Sequence, residues 1–443
     1  MLVKLLQKLQ NKHFLSLAGN GIMAILSVVT VAILYRNLTP NDIGSWVVFQ
    51  TAYVLVDTFR TGFLQTALIN FYAGAQEARA KEVVGSTWYL GIVITGISLV
   101  VSVPGWLLLP YITNEGLYVT VQWFFATFFC TLPVVMATWV LQAEHRFDRI
   151  LYVRLVNQGS FIIMVLILIY LNKINIQWVM FVNVLGCFFT LLLVMLNGWA
   201  KLPTLVHKTK AGITEIFHFG KYSVGTTISA NLLRSSDTFI INALLGPAAV
   251  AIYNLPQRLL EIIEIPLRSF LATGMPEIAA AENMGDKVLL RNTLYKYAGI
   301  LTILIIPVSI GAVILADVGV GLLGGSKYLQ TEAANLFRIF MVFAFLFPID
   351  RFVGITLDVV KQPKLNFIKV LLMLVVNVIG DFTAIYFMKS VYGVAVASIP
   401  TFVVGVCFGY FSLRKFLPIT FSKFFSVGYV ETKILLQKTL RKS

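Results

Sequence analysis

Long apolar stretches and short polar ones alternate along the whole chain. Runs of roughly 20 apolar residues, the length that carries a helix across a bilayer, recur at 14–35, 43–69, 84–109, 117–142, 150–171 and 177–197. They recur again at 221–245, 248–274, 294–316, 333–357, 366–388 and 391–413. Strands of a β-barrel would instead show short alternating segments. The pattern therefore predicts an all-α, polytopic membrane protein with twelve transmembrane helices. The first run is too long for a signal-peptide core and is expected to stay as the first helix.

Twelve spans return both termini to one side, and the basic residues test that topology. Of the 35 lysines and arginines, 25 fall on the side of the termini, among them Lys4, Lys8, Lys12, Lys361, Lys364 and Lys369. Only Arg36, Lys173, Lys327 and Lys389 fall on the other side, and six arginines but no lysine are assigned to the spans. Such a bias places the termini in the cytoplasm. Six helices per half is an even number, so the two halves should share one orientation about an axis along the membrane normal. A shift of 207 lays Pro40, Ile43, Trp46 and Asp57 over Pro247, Val250, Tyr253 and Glu264. The expected organisation is a six-helix lobe over 1–208, a second over 209–413, and a tail over 414–443. A basic linker over about 198–220 joins the lobes, and the basic, aromatic tail is expected to lie along the anionic inner leaflet.

Composition agrees: 58% of residues are hydrophobic and 12% charged, where a soluble domain has about a quarter charged. The net charge of +15 would suggest nucleic acid in a soluble protein, but here it follows sidedness, and no nucleic acid partner is expected. Cys130, Cys187 and Cys407 all lie in apolar runs and read as small buried hydrophobes without a disulfide framework.

Charges within the spans carry the candidate chemistry. On the eighth helix Arg258, Glu261, Glu264 and Arg268 share about a 120° arc, with Pro256 and Pro266 bending the helix around them. Gln50, Tyr53, Asp57 and Arg60 share roughly 80° of the second. Asn231, Arg234 and Asp237 follow at steps of three on the seventh, and Arg338, Asp350 and Arg351 lie on the tenth. An ionisable group in the bilayer needs a partner or water. One reading makes Asp57 with Arg60, Arg234 with Asp237, and Arg258 with Glu261 structural pairs one turn apart. The other makes the arginines the lining of an aqueous cavity that binds a phosphate-bearing anion, which suits the permanently charged, bidentate guanidinium. In that reading Arg60, Arg234, Arg258 and Arg268 bind substrate. Arg338, Arg351, Tyr53, Gln50 and Asn231 are further candidates, and Asp57, Asp237, Glu261, Glu264 and Asp381 are candidates for proton or cation coupling.

Gly319 to Gly324 spells a dinucleotide fingerprint but follows no strand, and no Walker A sequence is present. His13, His145, His207 and His218 lack metal-ligand spacing. No cofactor or metal is expected, the driving force being a proton or sodium gradient.

The stretch from Ser236 through Gly246 to Tyr253, with its shorter echo from Leu38 to Trp46, resembles the polysaccharide-flippase branch of the multidrug/oligosaccharidyl-lipid/polysaccharide exporter superfamily, the O-antigen translocases above all. The resemblance implies two lobes that open alternately to move an undecaprenyl-diphosphate-linked oligosaccharide to the outer leaflet of a bacterial inner membrane. A polysaccharide polymerase and a chain-length regulator are the implied partners, besides membrane lipids. The rivals are a multidrug or cation antiporter on the same fold, which would want acids and aromatics in its cavity, and an outer-face polymerase or ligase, for which the outer loops are short and without histidine.

Overall fold

The computed structural model describes residues 12–440, which are helical throughout, with no strand among them. Lys4, Lys8, Arg441 and Lys442 of the basic count lie outside the described residues. The helices are α1 (Lys12–Asn37), α2 (Pro40–Tyr72), α3 (Glu77–Leu107), α4 (Glu115–Ala143), α5 (Phe147–Tyr170), α6 (Ile176–Leu196), α7 (Lys210–Leu245), α8 (Pro247–Asn283), α9 (Lys287–Ile314), α10 (Ala316–Gly324), α11 (Ser326–Leu329), α12 (Ala333–Phe343), α13 (Leu346–Val359), α14 (Pro363–Met388), α15 (Tyr392–Arg414) and α16 (Phe421–Leu440). The protein is an all-α polytopic membrane protein. Seven helices are long and apolar enough to cross a membrane, and the bent pair α12 and α13 makes an eighth span. The remaining four predicted spans are helices as well. They are α1, through its apolar part Gly21–Asn37, and α2, α7 and α8, which carry the embedded charges.

α2 and α8 both open on a proline, Pro40 and Pro247, whose ring presets the first helical turn where a missing N–H costs nothing. Ahead of α2 the Thr39 hydroxyl accepts the Asp42 amide at 3.1 Å, a side-chain cap. The tenth predicted span is not one helix: α12 and α13 meet at 53°. Pro348 explains the break. Its ring excludes the carbonyl four residues back, and the Ala344 carbonyl accepts instead from the Phe347 amide at 3.1 Å.

The chain forms two compact units, Met1–Asn231 with Gly246–Ala248, and Leu232–Leu245 with Ala249–Ser443, so the division falls inside α7. In unit 1 the stretch expected as a linker is largely built into the fold. A 3-10 turn, Leu202–His207, precedes α7 and runs so close to α3 that a Cβ on Gly85 would lie 2.2 Å from the Thr204 carbonyl oxygen. Charged bonds hold it. Lys201 donates to Glu144 and to the Tyr72 hydroxyl, each at 2.5 Å, and Tyr72 donates to Glu144 at 2.6 Å. Burial alone would raise the Glu144 carboxyl, but the bonds from Lys201 and Tyr72 outweigh it and hold it below its ordinary value. Burial would likewise lower Lys201, and the same bonds hold it above its own. Arg79 bonds both Glu82 and Glu215, which ties the first turns of α3 to α7.

Two expectations change in unit 2. The tail is a helix, α16, that seats Phe424 and Gly428 on α9 while Tyr429, Val430, Ile434 and Leu435 stay exposed. A Cβ on Gly299 would lie 2.4 Å from the Phe424 carbonyl oxygen and 2.7 Å from the Gly428 Cα, so the backbones meet where neither residue has a side chain. Phe424 is buried edge-on against Tyr295, ring centroids 5.1 Å apart. Lys369, which the pattern assigned to the terminal side, is instead buried with Asp350, the two being 3% and 5% exposed. Its ammonium donates to the Asp350 carboxylate at 2.8 Å and to the Asp350 carbonyl at 3.1 Å. Gly354 and Gly409 leave the slot for it: a Cβ there would meet Lys369 at 3.1 and 3.2 Å. A lysine does lie within the spans, and its desolvated charge needs that acid.

Lys369→Met alone should destabilise the protein by about 3–5 kcal/mol, because it strands a buried carboxylate, whereas Lys369→Met with Asp350→Leu should recover most of that loss. Melting temperatures of the detergent-solubilised variants check this; equal losses in the single and double variants would contradict it.

Candidate functional site

In unit 2, α7 and α14 bring two of the predicted coupling acids together. Asp237 follows Ser236 on α7, and Asp381 lies one turn beyond Asn377 on α14, a helix otherwise apolar around them. Asn377 donates to Asp237 Oδ1 at 2.6 Å and to Asp381 Oδ2 at 3.1 Å, with Ser236 Oγ a third acceptor at 3.3 Å. Tyr253 of α8 donates to Asp237 Oδ2 at 2.6 Å, and Thr401 of α15 donates to the Asn377 carbonyl at 3.2 Å. Asp381 is fully buried, and its Oδ1 has no hydrogen-bond partner.

The charge balance of this cluster is open. Among the described residues no lysine, arginine or histidine forms an ion pair with either carboxylate. The Asn377 amide has two hydrogens for three acceptors, so the protein's own donors cannot satisfy both acids. Two buried like charges cannot both stay ionised without a counter-charge. The cluster can therefore hold a proton between the carboxylates, or a small cation against the carboxylate oxygens, the ligand type that hard cations prefer.

The other predicted residues fall into three environments. Arg60 is a correction: it is completely buried in unit 1 and fully engaged, so it is not a cavity residue. It bonds Asp57 Oδ1 through two nitrogens at 2.9 and 2.5 Å, the Phe128 carbonyl at 3.0 Å and Thr131 at 3.0 Å, and lies 4.0 Å over the Phe128 ring. Asp57 also accepts from Thr61 at 2.9 Å, so both its oxygens are engaged, with the side chain 20% exposed. Tyr53 is tied to Thr131 at 3.0 Å and packs among Phe49, Phe124 and Phe128, while Gln50 is half-buried on the same helix. Arg338 bonds Asp317 and Asn335, each at 2.6 Å, with its side chain still 34% exposed.

The remaining arginines are accessible. Arg258 reaches Glu261 at 3.1 Å and Arg268 reaches Glu264 at 3.4 Å, with the arginine side chains 34% and 59% exposed. Such pairs contribute little and leave the guanidinium edges open, and they occupy the two glutamates named as coupling candidates. Arg234 and Arg351 are exposed, Asn231 is half-buried, and neither arginine makes an ion pair among the described residues. The predicted pairing of Arg234 with Asp237 does not occur, since Asp237 turns to Tyr253 and Asn377. Asn377 was missed as a site residue, and Tyr253, read from the sequence as a possible sugar contact, is instead the partner of an acid. The available signal was an amide and an acid four apart, Asn377 and Asp381, in an apolar span.

Comparison with known proteins places the chain. Residues 9–282 match the family model described as polysaccharide biosynthesis protein, and residues 223–383 match the MatE model. A probable low-salt glycan biosynthesis flippase of Haloferax volcanii is 23% identical over 244 residues, 54% of this chain and 50% of that protein. The chain thus spans about half the length of the curated relative it matches. Among solved structures, the lipid II flippase MurJ in an inward closed conformation superposes with a TM-score of 0.75 at 12% identity, covering 97% of this chain and 93% of that one. An inward-facing multidrug resistance MATE family transporter follows at 0.71 and 13%, covering 89% and 95%. At these identities the two structures establish the fold.

Arg60→Gln should lower stability by about 3–5 kcal/mol, as loss of a buried pair does, while Arg268→Gln should stay within roughly 0.5 kcal/mol. Thermal melts of both variants separate the structural arginine from the accessible one; equal effects would contradict the assignment.

Proposed function

From a chain that belongs to the polysaccharide biosynthesis protein family, we propose a flippase that moves a lipid-linked glycan across the membrane. The observation that carries this reading is the set of exposed arginines of unit 2 in helices that the sequence pattern places in the bilayer: Arg234 and Arg351 make no ion pair among the described residues, and Arg258 and Arg268 stay partly open beside Glu261 and Glu264. An exposed charge at that depth needs water or an anion beside it. A diphosphate meets that need with paired oxygens that match the guanidinium fork. The substrate we propose is an undecaprenyl-diphosphate-linked oligosaccharide, an O-antigen or related repeat unit. Arg258 and Arg268, with Arg234 and Arg351 as further contacts, would hold the diphosphate while the prenyl chain stays in lipid.

The setting is a bacterial inner membrane with both termini in the cytoplasm, on the strength of the basic bias, and the direction is from the cytoplasmic to the outer leaflet by alternating access. A polysaccharide polymerase and a chain-length regulator are the partners this role implies. The Asp237 and Asp381 cluster supplies the coupling: one proton or small cation neutralises it, and gain or loss of that charge shifts the packing of α7 against α14. The MatE match over 223–383 favours a second reading, a multidrug or cation antiporter. Glu261 is exposed on α8 as well, but the exposed arginines without an ion pair among the described residues, Arg234 and Arg351, repel an organic cation, so the anionic passenger is preferred.

Arg234→Glu, Arg258→Glu and Arg268→Glu, each at normal protein level, should cut export at least roughly tenfold, the effect of losing one charge-assisted bond of about 1.5–3 kcal/mol. The measurement is accumulation of the lipid-linked repeat unit in cells that depend on this chain. Full export by all three variants would remove the proposal.

A further inference from the structure

One corner of unit 1 groups three hydrogen-bond donors around a single indole ring and leaves all three unused. α6 closes on a left-handed glycine: Gly198 has φ +65°, its amide donates to the Met195 carbonyl at 3.0 Å, and the Trp199 amide donates to the Val194 carbonyl at 3.0 Å. These two bonds form a Schellman cap, and the chain leaves it with Trp199 set against the first turns of α5. The Arg149 guanidinium lies 5.3 Å over the Trp199 ring. The Tyr152 ring meets the indole edge-on, with centroids 6.3 Å apart. Arg149 and Tyr152 stand three apart on α5 and so share a face. In the sequence pattern the fifth span begins and the sixth ends here, on the side of the termini.

The acids of this corner are already taken. Asp148 pairs with Arg146 at 3.1 Å, and Glu144 with Lys201 at 2.5 Å. Arg149 acts on Glu144 only at longer range, and among the described residues no carboxylate lies within ion-pair distance of it. Tyr152 is 52% exposed, and among the described residues neither its hydroxyl nor the Trp199 indole N–H has a hydrogen-bond partner. Arg146, Arg149 and Lys201 against Glu144 and Asp148 leave one positive charge. Away from the donors the surface turns apolar. Ile163 follows Tyr152 on one face of α5, and Leu196, Leu192 and Phe189 line one face of α6, all of them exposed. Between Tyr152 and Ile163 a Cβ on Gly159 would meet nothing within 4 Å, so no neighbour fills that face.

We infer that this corner binds an anionic phospholipid of the cytoplasmic leaflet, its phosphate held by Arg149, Tyr152 and Trp199 and its acyl chains laid along the exposed faces of α5 and α6. A guanidinium makes charge-assisted bonds to phosphate, and a tyrosine and a tryptophan at a span end sit at headgroup depth. Basic corners on the cytoplasmic side are where anionic headgroups collect. The apolar faces that continue from the donors select a lipid over free phosphate. The single surplus charge selects a net anionic headgroup over a zwitterionic one, whose own cation would face Arg146 and Lys201. The lipid braces the end of α6 from which the 3-10 turn and α7 follow. The inference does not depend on which passenger the protein carries.

The test uses the full-length protein in detergent, titrated with phosphatidylglycerol, with phosphatidylcholine or with glycerol 3-phosphate alone while thermal stability is followed. A ligand of the folded state raises the melting temperature by mass action. Phosphatidylglycerol should do so saturably and at a concentration at least about tenfold below phosphatidylcholine, and glycerol 3-phosphate should do nothing. Arg149→Gln should weaken the response to phosphatidylglycerol at least about tenfold, the loss of one charge-assisted bond. Tyr152→Phe and Trp199→Phe keep a ring and remove only the donor, so each should weaken it about threefold or more, and they decide the matter if Arg149→Gln folds poorly. Lys364→Gln, the same charge change at an exposed lysine of unit 2, should stay within about twofold. Equal weakening by Arg149→Gln and Lys364→Gln would reduce the effect to net charge and overturn the inference. So would an equal response to the two lipids, a response to glycerol 3-phosphate alone, or full affinity in both donor variants.

Discussion

A charge removed from water must find a partner, and in a chain this apolar that requirement decides where every embedded charge goes. The structure meets it in three ways. Arg60 is surrounded by Asp57, the Phe128 carbonyl, Thr131 and the face of an aromatic ring, so its charge holds unit 1 together. Lys369 is threaded past glycines to Asp350, which pins α14 to the second half of a broken span. The third way differs in kind: Asp237 and Asp381 share one amide, Asp237 takes one hydroxyl besides, and neither has a cation among the described residues. The first two arrangements close their charge balance and are architecture. The third leaves it open, which is the property the proposed coupling to an ion gradient requires.

Close backbone approach is the second recurring device. Gly85 beside Thr204 and Gly299 beside Gly428 let elements distant in sequence come together where a single methyl group would collide. In water such contacts would be a minor addition to hydrophobic burial. Between lipid-immersed helices that driving force is absent, and van der Waals fit at small residues takes its place.

The fold was legible because its cause is one-dimensional. A bilayer of fixed thickness forces apolar runs of fixed length, and the twelve predicted segments are all helical. What the pattern missed depends on single residues. Pro348 breaks a span whose hydropathy is unbroken, and the turns of α8 beyond residue 274, with Glu277 and Glu282, stay helical although they are not apolar. Lys369 looks like a loop cation because its long stem hides which way it points. The site was half legible for a similar reason. Charges inside spans mark themselves, so Asp237, Asp381, Arg258 and Arg268 were all nominated. Whether an arginine is consumed by its surroundings, as Arg60 is, or left accessible, as Arg268 is, depends on neighbours from other helices, and no spacing rule contains them. The neutral partners Asn377, Tyr253 and Thr401 are visible only once α7, α8, α14 and α15 are assembled.

The seat of α16 on α9 has a consequence for how the protein is made. The glycine-lined surface around Gly299 is synthesised and inserted long before Phe424 and Gly428 leave the ribosome, so until then α9 presents an unfilled groove to lipid or to the translocation machinery. Unit 2 therefore cannot finish its packing helix by helix during insertion. A chain cut short before Phe421 would carry a lesion at α9, far from the cut.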